Sequence, residues 1–301
     1  MEIIKGKITW IDIYKPTDSD IRFLKNNYQI HPLILEELLG PSARSKVEVF
    51  SDYLFLVYFF PSYNESEKIS YQGEVDFIIA KNFVVTAHYE NFVPIKEFKN
   101  KLENENYKKQ ALETTYNFTY NLLETFISYL EREQHHISDK VEYISYNIFK
   151  GKEEELLREI SFIKRDMASY ALIIHLQETV LKSLAANAPT FWKNPNVKIL
   201  FDDLAGDQLR VLNQINNIRE IINGLENTNN QLLSVKTTKI ISIFTILAFL
   251  TFPFTLFISI LGLKAQGTPF VNMANGFWII SGLVIFCMLA LLLYFKNKNW
   301  L

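Results

Sequence analysis

The sequence predicts an α+β domain carrying long stalk helices and ending in two transmembrane helices. Three observations carry that expectation. Residues 1–93 mix short alternating runs with turn signals. Residues 94–239 space their apolar residues by three or four and contain few glycines (Gly151, Gly206, Gly224). From Ile240 to Phe295 the only charged residue is Lys264.

Each element follows from local pattern. Ile8–Tyr14 (I-T-W-I-D-I-Y) alternates as a strand. Thr17 with Asp20 makes a capping box for a helix to about Asn26. His31–Leu39 forms a short helix stopped by Gly40-Pro41. Val47–Phe60 is strand material interrupted at Ser51-Asp52, and Val75–Ala80 with Phe83–His88 forms a hairpin across Lys81-Asn82. Helices are expected from Tyr107 to Phe149 and from Lys152 to Ala186, with a break at Ala188–Pro195, which holds two prolines. A third begins near Asn196 and continues without a breaker into the first membrane span. Its 68 residues to Leu263 would reach about 100 Å.

Ile240–Leu263 holds 24 uncharged residues and Gly276–Phe295 another 20, each long enough at roughly 20 residues to cross a bilayer. The loop 264–275 joins them. Pro253 is tolerable inside the first span, where a neighbouring helix can satisfy the freed carbonyl. Lys236 and Lys239 precede the spans and Lys296 and Lys298 follow them, against Lys264 alone in the loop. The positive-inside rule places both termini in the cytoplasm. The chain thus divides into 1–93 (cytoplasmic α/β), 94–239 (helical region and stalk) and 240–301 (membrane pair).

Composition removes several functions. Of 301 residues, 31 are Lys or Arg and 33 Asp or Glu, for a net charge of −2. A nucleic-acid binder would carry a basic excess. The single cysteine, Cys287, excludes an internal disulfide framework and a cysteine-based zinc site. The first residues, Met1–Lys15, have no unbroken apolar core, so no signal peptide is expected. P-loop, G-x-G-x-x-G, H-E-x-x-H and G-x-S-x-G motifs are all missing, no organic cofactor is expected, and the chain does not read as an enzyme. His135 and His136 are adjacent on a helix and point about 100° apart, which suits a solvated face better than one metal. His31 reads as a helix-start residue, His88 and His175 as partly buried structural residues.

Two features suggest ions. Asp202 and Asp203 open the long helix, either as ordinary dipole partners or as part of a hard-cation site. In the first span, Thr238, Thr245, Thr255 and Ser259, with Phe252, fall near one helical stripe. Such hydroxyls either bond back to i−4 carbonyls or line an aqueous path. Two helices per chain cannot enclose a path, so a pore needs several chains.

At this point the chain resembles the CorA family of divalent-cation channels and transporters. His31-Pro32-Leu33 followed by Leu35-Glu36-Glu37-Leu38 resembles that family's H-P-L-x-L-E-D-L segment, continued by Arg44, Lys46 and Asp52-Tyr53-Leu54-Phe55. Lys81-Asn82-Phe83, Thr86 and His88 resemble its later hairpin. Pro253 lies nine residues before Gly262, the family spacing from membrane proline to filter glycine, and the ending Lys296-Asn297-Lys298-Asn299-Trp300-Leu301 resembles its basic K-W-L terminus. The resemblance implies a funnel-shaped homopentamer in the cell (inner) membrane whose first span lines the pore. Magnesium is the implied transported and regulatory ion, with Zn2+ or Co2+ as other candidates. It implies pore-lining roles for Thr238 and Ile241 and a metal-sensing role for Asp203.

One departure stands out. The family's Gly-Met-Asn filter is here Gly262-Leu263-Lys264. A lysine about 6 Å from a divalent ion repels it by about 1.4 kcal/mol in water, and five would total about 7 kcal/mol before salt screening. Gly262–Pro269 also resembles the loop of the zinc-transporting branch. Three readings follow: a divalent-cation channel, magnesium first; a proton-linked zinc transporter; and a non-conducting metal-sensing paralogue.

Overall fold

The computed structural model describes residues 1–262, 273 and 275–298. The chain divides into a unit of Met1–Asn227 and a unit of Thr228–Leu301.

The first unit is built on a six-stranded sheet of order β1-β2-β6-β5-β4-β3. Its strands are β1 (Glu2–Lys5), β2 (Thr9–Tyr14), β3 (Lys46–Val49), β4 (Tyr53–Asn64), β5 (Ile69–Ala80) and β6 (Phe83–His88). β2 and β6 run parallel and every other pair antiparallel. β4 and β5 form a 12-residue hairpin with Tyr53 opposite Ala80 and Asn64 opposite Ile69. β5 starts six residues before the expected Val75, because Gly73 lies within the strand rather than ending it. A Cβ at Gly73 would come within 2.9 Å of the Phe60 ring. The glycine is there for a close approach, a use of glycine that looks like a breaker in sequence.

Both faces of the sheet are covered. Ile11, Ile13, Phe55, Val57, Ile78 and Val85 lie on one face. They pack under α1 (Asp18–Asn27) and α2 (Pro32–Glu37), and Ile173 of α6 (Glu153–Trp192) joins the same cluster. On the other face Trp10, Tyr58 and Phe60 meet Phe98 of α3 (Val93–Lys101) and Phe118 and Phe126 of α5 (Thr115–Asn147), with ring centroids 4.7–5.7 Å apart. Burying such rings is worth about 2–3 kcal/mol each, and edge-to-face contact adds to it. The expected capping box is present: Thr17 accepts from Asp20 N–H, and the Asp20 carboxylate accepts from Thr17 N–H. His31 caps α2, its Nδ1 accepting from Leu33 N–H at 3.3 Å.

Three expectations change. The helix expected from Tyr107 is two: α4 (Glu105–Ala111) and α5. Thr114 separates them by capping α5, its hydroxyl accepting from Asn117 N–H at 3.2 Å. The helix expected to end at Ala186 runs to Trp192 through Pro189. Pro189 sits in the last turn and forfeits one backbone hydrogen bond. Trp192 anchors that turn, donating Nε1–H to Thr115 Oγ1 at 2.9 Å and stacking on Phe201 at 5.5 Å. Lys193, at φ 53°, ends the helix. His175 is exposed, not partly buried. It pairs only loosely with Glu178, at 3.7 Å.

Helix α7 spans Val197–Gly262 and α8 spans Gly276–Asn297. Both starts agree with the sequence expectation to within a residue.

Candidate functional site

Both terminal helices are long and apolar enough to cross a membrane, and only 11% and 6% of their most apolar windows is buried. That low burial is not what a soluble core helix shows, since such a helix would hide these side chains. Phe244, Phe249, Phe252, Phe277, Trp278 and Phe286 all lie more than 60% exposed. Apolar surface on this scale needs lipid or other copies of the chain around it.

Along the membrane part of α7, Ile246 and Leu250 are the most deeply buried side chains, each 5% exposed. Ser242, Phe254 and Leu261 are half-buried and extend the same stripe. A groove lies between the two helices, lined by Ile258, Leu261 and Gly262 from α7 and by Phe277, Ile280 and Val284 from α8. Thr238, Ile241, Thr245, Phe252, Thr255 and Ser259 are all exposed. At about 100° per residue they centre roughly 150° from the buried stripe. The helix thus packs with one side and leaves the opposite, hydroxyl-bearing side open.

The hydroxyls do bond back along the helix. Thr238 Oγ1 donates to Ser234 O, Thr245 to Ile241 O and Thr255 to Thr251 O, at 2.8–2.9 Å. This spends the proton but not the oxygen lone pairs. Those remain able to accept from the water shell of a hydrated cation. The two sequence readings of these hydroxyls are therefore compatible.

Asp202 and Asp203 are exposed on the first turns of α7. Asp202 lies 3.7 Å from Lys198. Among the described residues no group of three or more His, Cys, Asp or Glu side chains could hold a metal. On one chain these two carboxylates do not fill a coordination shell. Leu263 and Lys264 lie outside the described residues, and Gly262 is the last residue of α7.

Residues 5–297 match the family described as CorA-like Mg2+ transporter protein. The chain belongs to the CorA family. The "Cobalt/magnesium transport protein CorA" of Thermotoga maritima is 25% identical over 97% of this chain and 83% of its own length. The corresponding protein of Methanocaldococcus jannaschii is 21% identical over 98% of this chain and 92% of its own. A solved structure described as "The complete structure of CorA magnesium transporter from Methanocaldococcus jannaschii" superposes with a TM-score of 0.85, covering 98% of this chain and 92% of that one at 19% identity. That likeness fixes the CorA fold: a soluble α/β domain, long helices and two C-terminal apolar helices. CorA proteins are membrane transporters, and this chain is a transporter rather than an enzyme.

Two buried polar networks in this CorA chain escaped the sequence reading. In the first, Trp10 Nε1–H donates to Thr86 Oγ1 at 2.9 Å, and Thr86 donates to Asp12 Oδ1 at 2.5 Å. His88 Nε2 lies 3.3 Å from Asp12 Oδ2 and Lys99 Nζ 2.7 Å from it. Burial alone would raise the Asp12 pKa, but the bonds from His88, Lys99 and Thr86 outweigh it and hold the carboxyl below its ordinary value. In the second, burial and the neighbouring Glu74 push Asp76 well above the ordinary carboxylate range. Burial also raises Glu74. The available signal was an Asp at an inward position of an otherwise apolar strand, in I-D-I and V-D-F.

Proposed function

We propose that this chain transports divalent metal cations, magnesium first, through a homopentameric pore lined by α7. The family match over residues 5–297 carries the reading. Magnesium and cobalt come from what the relatives' names say they transport.

The geometry of α7 supports the pore. Thr238, Thr245, Thr255 and Ser259 stand on the side away from the buried stripe, with Ile241 and Phe252 between them. Copies arranged around an axis would turn this side inward and bring rings of hydroxyl oxygen to a hydrated ion. A small divalent ion such as magnesium gives up its water shell reluctantly, and hydroxyl lone pairs can hold those waters without removing them. Phe252 makes the narrow apolar ring of the set. The flanking lysines support cytoplasmic termini and a short outer loop, in the cell (inner) membrane.

Gly262, Leu263 and Lys264 form the outer mouth in this reading. The charge on the lysine lowers cation entry, by an amount that water and salt reduce through screening. Asp203, with Asp202 beside it, contributes to a regulatory cytoplasmic site that a neighbouring chain completes. The test is magnesium uptake into liposomes by wild type and Asp203→Ala. The variant should keep conducting when internal magnesium has closed the wild type. Equal closure in both removes Asp203 from the sensor.

A further inference from the structure

β5 places Glu74 and Asp76 two residues apart, and so on one face of the sheet. They are 6% and 0% exposed, and their carboxyls lie within hydrogen-bonding reach of each other. Ionised carboxylates only accept, so the pair needs donors or a positive charge. Few donors arrive. Ser42 N–H donates to Glu74 Oε1 at 2.7 Å. The Tyr89 hydroxyl lies 3.3 Å from Asp76 Oδ2 but only 2.6 Å from Gly40 O, so its proton goes to the carbonyl. Asp76 Oδ1 has no hydrogen-bond partner, and the Ser42 hydroxyl lies within hydrogen-bonding reach of Glu74. The nearby cation, Lys46, is engaged by Glu37 at 2.8 Å and Glu48 at 3.0 Å.

We infer that Glu74 and Asp76 bind a divalent cation within one chain, beneath the Gly40–Ser42 loop. The ligands would be oxygen throughout: the two carboxylates, the Ser42 hydroxyl and the Gly40 carbonyl. That is hard-cation chemistry, and magnesium sites typically use one or two carboxylates and keep several waters. The orphaned oxygen, Asp76 Oδ1, is the unfilled position the ion would take. A groove of about 430 Å³ lined by Glu37, Gly40, Ser42, Arg44 and Lys46 lies along the loop. The bound ion ties that loop to the central hairpin. This site shares no residue with Asp202 and Asp203 and does not depend on the pore reading.

The experiment counts bound Mn2+ by electron paramagnetic resonance on the full-length protein in detergent, with Asp203→Ala as the background. Asp76→Asn and Glu74→Gln should each remove one ion per chain, while the background protein keeps it. Equal counts in folded Asp76→Asn and its parent would mean that the pair holds only a proton, and the inference falls. If Asp76→Asn does not fold, Glu74→Gln decides the count. Thermal unfolding of the Asp203→Ala protein gives a second readout. Its midpoint should rise with millimolar magnesium, and an unmoved midpoint also overturns the site.

Discussion

Asp12 shows how much one side chain can matter in this sheet. It is 3% exposed, yet every oxygen finds a partner in Thr86, His88 or Lys99. Thr86→Val removes the donor to Asp12 and the acceptor for Trp10. It should cost about 1–3 kcal/mol at pH 7, measured by urea unfolding of the full-length protein in detergent. The pH sign follows from the lowered Asp12 pKa. Its stabilisation is complete above the unfolded carboxylate value of about 3.9 and disappears as pH falls through the lower folded value. Asp12→Asn should therefore flatten the acid limb of stability against pH. An unchanged acid limb would mean that other carboxylates set it. Lys264 poses the converse question, a charge that the proposed outer mouth would set where the Gly-Met-Asn pattern carries a neutral amide. Lys264→Asn removes the charge from every copy at once, so it should raise magnesium flux by at least the roughly tenfold that 1.4 kcal/mol from a single lysine gives at low salt, and by less at high salt. Equal flux would show that the lysine stays clear of the ion path. Neither buried network was legible beforehand, because burial of Asp12 and Asp76 depends on both sheet faces being covered.

The helices were legible to the extent that their stops were written in residues. Gly40-Pro41 and the Thr17 capping box told the truth. Thr114 and Pro189 misled for opposite reasons. A threonine in a run of helix formers conceals a cap, and a proline in a last turn breaks nothing. Thr114→Ala should cost about 1 kcal/mol, visible as a lowered unfolding midpoint. A midpoint that does not move would make Trp192 the main anchor of this corner. The membrane part of α7 permits a sharper check. Single cysteines at Thr238, Ile241, Thr245, Phe252 and Ser259 should react with a water-soluble thiol reagent in a Cys287→Ser background. Cysteines at Ile246 and Leu250, on the buried stripe, should not. The reverse pattern would put the buried stripe on the water path.

Over the whole chain, charge distribution made the architecture readable. No Asp or Glu follows Glu226, while residues 1–239 carry 28 basic and 33 acidic side chains. An acidic body and an apolar tail follow from that division alone, before any motif is considered. The number of copies around a pore does not, because it is set by surfaces that one chain leaves exposed, such as Phe252 and Ile241. Native mass spectrometry should find about five chain masses of 35.2 kDa, and a monomer or dimer would leave α7 unable to enclose a path. The most direct test is ion flux into liposomes holding the purified, assembled protein, comparing magnesium, cobalt and zinc at two pH values. Saturable magnesium and cobalt entry that ignores the proton gradient is the predicted result. Zinc flux that follows the proton gradient, or no divalent flux from folded and assembled protein, would contradict it.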